Sequence, residues 1–161
     1  MGNEDEYLKT RNSGAPTAIG LREAVPAAMS AFAPSFREIL GSEPIIRQDE
    51  DGMFLIHTYG AGAFVQVGRF GIREFPGCCG LIVFYHASVT EKFQAKGLGR
   101  LFLKVREKAA VLAGYPVALC TVLEGNKAER HLLEGEGWDE DFVFTNTRTK
   151  HEVVTYKKAL L

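Results

Sequence analysis

The chain reads as a mixed α/β, or α+β, domain, and three observations predict it. Three apolar strand-like runs separated by tight turns follow one another at 52–59, 63–70 and 78–89. A strongly amphipathic helix opens on a glycine-rich turn, Gln94-Ala95-Lys96-Gly97-Leu98-Gly99. Strand and helix then alternate once more before two closing strands, an order that builds one mixed sheet with helices packed on it. At 161 residues the chain fits a single domain, 1–161, that can bury a core of its own.

Composition narrows the function classes. Hydrophobic residues make up 46% and charged residues 24%, ordinary values for a globular protein. A net charge of −1 argues against a broad nucleic-acid-binding face. No apolar run approaches the ~20 residues of a membrane span. The start, Met1-Gly2-Asn3-Glu4-Asp5-Glu6, is acidic and unlike a secretion signal, and Glu6 stands where a myristoylation site needs Ser or Thr. The expectation is a cytoplasmic protein without membrane or nucleic-acid partners. The three cysteines, an odd number, favour free thiols. Cys78 and Cys79 are expected as small half-buried strand neighbours pointing to opposite faces. No Cys-x-x-Cys or His-x-x-x-His spacing recruits zinc, so no metal is expected.

Along the chain, residues 1–16 form a polar segment with a short strand at 6–11 and a turn at 12–16. An alanine-rich helix is expected at 17–32, capped by Thr17 and kinked or restarted at Pro26. A second helix is expected at 34–40, with Pro34 in its first turn and Gly41 past its end. The strand at 52–59 carries Met53, Leu55, His57 and Tyr59 on one parity. That at 63–70 alternates Val65, Val67 and Arg69 against Phe64, Gln66 and Gly68. The turns at 59–62 and 75–77 suit antiparallel neighbours. The helix at 97–113 gathers Leu98, Leu101, Phe102, Val105, Ala109 and Leu112 on one face and ends at Gly114. A buried strand at 115–123, a short helix at 126–134 broken by Gly135-Glu136-Gly137, and strands at 142–147 and 152–157 complete the order.

The glycine turn carries the chemistry. A turn that leaves a strand and opens a helix aims several backbone N–H groups at one point, where the helix dipole adds positive charge, so the spot suits a phosphate. Lys96 and Arg100 flank it. Two familiar phosphate motifs fail. There is no Gly-x-x-x-x-Gly-Lys-Ser/Thr run, and Phe102 stands where a dinucleotide fingerprint needs its third glycine.

What remains, Gln94-x-x-Gly97-x-Gly99 after a long strand, with Phe93 just before it and Val89 upstream, resembles the acetyl-CoA motif of the GNAT superfamily of N-acetyltransferases. Asn126 at the start of the next helix and Gly137-Trp138 at its end are similar to a second block of that family. The resemblance spans roughly residues 53–158. It implies the acyl-CoA N-acyltransferase fold, a mostly antiparallel central sheet with a splayed parallel strand pair and flanking helices.

The resemblance further implies acetyl-CoA as cosubstrate. Backbone amides of Gln94, Ala95, Lys96, Gly97, Leu98, Gly99 and Arg100 would hold its pyrophosphate. The edge at Ala87, Ser88 and Val89 would pair with the pantetheine arm, beside Asn126, and an N–H near Val89 would polarise the thioester carbonyl. It implies an amine acceptor, small molecule or protein, and is compatible with a homodimer. Holding a lysine-like amine neutral at pH 7 costs about 4.6 kcal/mol, so a base is wanted. The chain departs from the family here: Leu133 stands where a tyrosine acid is common, and Val83 where some members have a glutamate base.

Candidates for proton transfer are Tyr85 and His86 on the long strand, with His131 on the second helix. Opposite parity lets only one of Tyr85 and His86 face a given side. Imidazole is the residue type that titrates nearer neutrality. His57 and His151 have less to recommend them. The residues at 29–42 would shape the acceptor pocket, and the acidic groups at 49–51 and 134–141 either attract a cationic amine or are solvated turns. Three readings stay open: direct acetyl transfer without a covalent enzyme intermediate, a module that binds acetyl-CoA or CoA without turnover, and a relative in fold alone that binds no CoA. A bulky residue at Gly97 or at Gly99 is expected to abolish acetyl-CoA binding, measured by isothermal titration. Affinity that survives both replacements would place the phosphate elsewhere.

Overall fold

A computed structural model describes residues 19–161. The expected strand at 6–11, the turn at 12–16 and the Thr17 cap lie outside the described residues. Two helices come first, α1 (Leu21–Ala31) and α2 (Ala33–Leu40). Helix α1 runs through Pro26, and the chain breaks instead at Phe32, between the two helices. Pro34 sits in the first turn of α2 and Gly41, at φ 75°, closes it, as its sequence predicts. Then come β1 (Ile45–Gln48), β2 (Phe54–Gly60), β3 (Ala63–Glu74), β4 (Leu81–Val89), a 3-10 turn at Glu91–Phe93, and α3 (Leu98–Leu112). The chain closes with β5 (Val117–Leu123), α4 (Lys127–Gly135), β6 (Asp139–Thr145) and β7 (Glu152–Ala159).

The strands form one seven-stranded sheet in the order β1-β2-β3-β4-β5-β7-β6. Every pairing is antiparallel except β4 with β5, which run parallel. That crossover needs a connecting helix, and α3 supplies it. Inward-pointing residues alternate along the strands: Ile82 and Phe84 on β4, Ala118, Cys120 and Val122 on β5, Val154 and Tyr156 on β7. They share one core cluster with Phe102 and Val105 of α3, Val25 of α1, Phe36 of α2 and Leu133 of α4. The opposite face of the sheet, with Arg69, Arg73, Thr121 and Phe144, is exposed.

The strand expected at 78–89 starts later. Cys78 and Cys79 are exposed in the turn before β4, between Gly77 at φ 73° and Gly80 at φ 94°, so they do not form the half-buried strand pair the sequence suggested. On β2 the buried parity is Phe54 and Ile56, with Thr58 hydrogen-bonded to Ser42 at 2.6 Å between the hydroxyls. Strand β1 is an addition to the predicted order.

Two glycines of β3 admit close approaches that no other residue allows. A Cβ on Gly68 would lie 2.4 Å from the Ser88 carbonyl oxygen and 2.6 Å from the Phe102 ring. A Cβ on Gly71 would lie 2.4 Å from the ring of Tyr85. Gly68→Ala therefore overpacks a site bounded by backbone on one side and core on the other. It should lower the unfolding free energy in urea by about 1–3 kcal/mol.

Candidate functional site

Strand β4 carries an extra residue. In its ladder with β3, Tyr85 pairs with Gly71 and Ser88 with Arg69, so His86 and Ala87 together oppose Phe70. His86 takes the bulge at φ 50°, left-handed backbone that is uncommon outside glycine and that clusters at functional sites. The bulge breaks the simple alternation of the strand. Tyr85 and His86 consequently line the same cavities, their rings 5.5 Å apart and edge to face. The sequence expectation that they must face opposite sides is thus corrected.

Beyond the bulge β4 and β5 part. Their parallel ladder runs only from Leu81 with Val117 to Phe84 with Cys120, although β4 continues to Val89 and β5 to Leu123. Each strand stays bound to its outer neighbour. The end of β4 is tied to β3, with Thr90 donating its N–H to the Val67 carbonyl and its hydroxyl to that of Gln66. β5 follows β7 as far as Leu123. Residues 85–89 of β4 and 121–123 of β5 are left facing each other across an opening with no ladder between them.

The glycine turn lies beside this opening. Gln94 donates its side-chain amide to the Val89 carbonyl at 3.0 Å, which pins the turn to the end of β4. Ala95 at φ 58° and Gly97 at φ 86° are left-handed, and alternating backbone of this kind makes a concave nest of N–H groups. Gly99 does not share that conformation; a Cβ there would meet only the Leu132 side chain, at 3.8 Å. The first hydrogen bond of α3 is Leu101 N–H to the Gly97 carbonyl. The six amides from Ala95 to Arg100 thus have no protein acceptor among the described residues. The Arg100 side chain pairs with Glu136 at 2.8 Å.

Asn126 caps α4 reciprocally: its side-chain oxygen accepts the Glu129 N–H at 3.3 Å while its Nδ2 donates to the Glu129 carboxylate at 2.9 Å. Behind the opening lies a buried guanidinium. Arg106 stands 5.0 Å over the ring of Phe84 and 5.8 Å from that of Phe70, and its Nε donates to the Phe102 carbonyl at 3.4 Å. Burial raises the Glu129 carboxyl above its ordinary range, with Arg106 pulling it back. Burial also pushes the Cys120 thiol up to about 11, so it stays protonated near neutrality. Leu133 is buried in the core and Val83 is half-buried, so neither position supplies an acid or base. His131 is exposed on α4, away from Tyr85 and His86, and lines a different surface depression.

Sequence reasoning missed Arg69, Arg73 and Met53, and named Asp51 only within the acidic group at 49–51. Arg69, Asp51 and Met53 line a cavity of about 320 Å³ with Tyr85 and His86, and Arg73 lines a second one of about 540 Å³ with the same two rings. The available signal was the pair of glycines inside β3, since a glycine within a strand marks a bulge or a close backbone approach. No helix among the described residues is long and apolar enough to cross a membrane, and no cluster of three or more metal-ligating side chains occurs among them.

A seven-stranded sheet whose one parallel pair splays beside a glycine turn is the GNAT, or acyl-CoA N-acyltransferase, fold, and this chain has it. Similar solved structures include a GNAT-family protein from Desulfovibrio desulfuricans, with a TM-score of 0.58 and 18% identity over 68% of this chain and 69% of that one. A GNAT-family acetyltransferase from Elizabethkingia anophelis with acetyl-CoA bound has a TM-score of 0.57 and 15% identity, over 66% and 74%. The ribosomal-protein-S18-alanine N-acetyltransferase of Escherichia coli has a TM-score of 0.54 and 15% identity, over 79% and 76%. No protein-family model and no curated protein matches the sequence.

The start of α3 is held to the rest of the sheet by charge. Glu136, just past α4, pairs with both Arg100 and Lys104. The Lys104 ammonium, aided by Arg100 and Lys158 and opposed by burial, holds its carboxyl below the usual range. A carboxyl lowered on folding stabilises above its unfolded pKa of about 4.3, and that contribution disappears as pH falls through the folded value. Glu136→Gln should therefore lower the urea midpoint at pH 7, and the gap to the unmodified protein should narrow at pH 3.

Proposed function

We propose that this chain is an acetyl-CoA-dependent N-acetyltransferase that passes the acetyl group directly from thioester to amine. One observation carries the reading: six consecutive amides without internal acceptors at the N-terminus of α3, beside a sheet that opens between β4 and β5. A diphosphate needs several converging N–H donors, and the helix dipole favours its charge. An extended pantetheine arm needs an unpaired strand edge, and residues 87–89 provide one. The residues present therefore fit the coenzyme, and the fold is one in which acetyl-CoA is bound in a solved relative.

In this reading the amides of 95–100 hold the pyrophosphate, that of Gln94 being already given to the Glu91 carbonyl, the edge at Ala87, Ser88 and Val89 aligns the arm, and an N–H near Val89 polarises the carbonyl. The acceptor enters from the open face of the sheet, where Tyr85 and His86 meet. His86 receives the proton of the incoming ammonium, and Tyr85 packs against its ring. The amine nitrogen bonds to the carbonyl carbon, the carbon–sulfur bond breaks, and sulfur leaves as a thiolate that needs little help, since thiols titrate near ~8.5; the nitrogen's second proton goes to that thiolate, directly or through water. Cys120 is buried and its thiol is pushed up to about 11, so it is no nucleophile for an acetyl-cysteine intermediate. A second reading, a module that holds the coenzyme without turnover, rests on Leu133 and Val83 standing where an acid and a base are common in this fold.

Isothermal titration should show acetyl-CoA binding, and mass spectrometry over an amine panel should show acetylated product. Initial rates should give intersecting lines, the pattern of a ternary complex. His86→Gln should lower kcat by a factor of about 10²–10⁴ and leave acetyl-CoA affinity unchanged. Binding without any acetylated amine would favour the module, and parallel lines would overturn direct transfer.

A further inference from the structure

Charge on the open face of the sheet is lopsided. Most acidic groups near the fold's two ends are already engaged. Asp49 accepts the N–H groups of Asp51 and Met53, Glu134 accepts the Tyr156 hydroxyl, Glu140 pairs with Arg130, and Asp141 with Lys157. Those carboxylates are committed to partners, which leaves Asp51 as the acid beside the two rings among the described residues. Arg69 and Arg73 are the reverse case. Both stand on the Gly71 side of β3, facing Tyr85, and neither has an acidic partner or a hydrogen-bond acceptor among the described residues. Arg73 is fixed all the same, with its guanidinium 4.8 Å over the Tyr85 ring.

The two arginines flank the point where chemistry would occur. The smaller cavity joins Arg69 to Tyr85 and His86, with Asp51 as its one acid. The larger joins Arg73 to the same two rings and is otherwise walled by uncharged groups, notably Phe75, Leu123, Phe144 and Val153. A guanidinium presents five donors in a planar fork that matches a carboxylate, and it recognises one best where the surroundings are apolar.

We infer that the acceptor is an amine that also carries a carboxylate and an apolar substituent, a hydrophobic amino acid in chemical class. Its carboxylate is read by Arg73, its apolar group lies against Phe75 and Phe144, and its amine is at His86. This rests on the acetyltransferase reading above and extends it to the acceptor.

The test compares phenylalanine with phenylalaninamide, which differ in the carboxylate alone, and adds spermidine as a polycation, all with saturating acetyl-CoA. The amide has the less basic amine, so near neutral pH much more of it is unprotonated and able to react, and a preference for the acid against that bias reports charge recognition. The unmodified protein should acetylate phenylalanine with a kcat/KM at least tenfold above that for the amide and for spermidine. R73Q should collapse the acid-to-amide ratio toward one, through KM for the acid, while R69Q, in the neighbouring cavity, leaves the ratio above tenfold and acetyl-CoA titration reports an intact coenzyme site. A ratio of one or less, a preference for spermidine, or a ratio untouched by R73Q overturns this inference and leaves the acetyltransferase reading standing. No acetylated product from any amine overturns both.

Discussion

The parting of β4 from β5 is the constraint on which the rest of the molecule depends. Two parallel strands that ladder through four residue pairs and then separate must each keep another partner, or they would collapse together. The bulge at His86 re-aims the end of β4 and increases its local twist. Thr90 fastens that end to β3, while β7 holds β5 along its whole length. Gly68 and Gly71 complete the device. They let β3 follow the bulged strand closely, with the Phe102 ring under one and the Tyr85 ring over the other.

A polar network keeps the two helices beside the opening in register. Glu107 of α3 accepts from the Trp138 indole at 2.8 Å and from the Lys158 ammonium at 2.8 Å. Lys158 also donates to the Glu136 carbonyl at 2.7 Å, and the Glu136 carboxylate turns back to Arg100 and Lys104. Helix α3, the end of α4 and strand β7 are thereby joined through half-buried charges with satisfied partners, the arrangement in which ion pairs confer geometry. The N-terminus of α3 is held in this way beside the opening of the sheet.

Much of this was legible in the sequence, for identifiable reasons. The period of α3, its glycine breakers and the tight turn between β2 and β3 are local signals, and local signals survive folding. The turn at 94–99 was readable because Gly97 does adopt the left-handed backbone that only a glycine takes freely. Four-residue β1 was too short to show a period. Cys78 and Cys79 looked like strand because they adjoin an apolar run, but Gly77 and Gly80 bend the chain on both sides of them. The bulge left no mark in its own residues, so alternation assigned Tyr85 and His86 to opposite faces. Arg69 and Arg73 could be placed at the site only once the β3–β4 register was known, because their partner rings lie on another strand.

The opening sits in the interior of the sheet and not at its rim. An unlaced strand at the outer border of a sheet invites neighbouring molecules to add themselves, which is a common route to aggregation. Here the unlaced backbone faces another strand of the same molecule, shielded by β1–β3 on one side and by β6 and β7 on the other. The unlaced backbone of the opening is therefore turned toward the molecule's own strands and is not offered to copies of the chain as a rim strand would be.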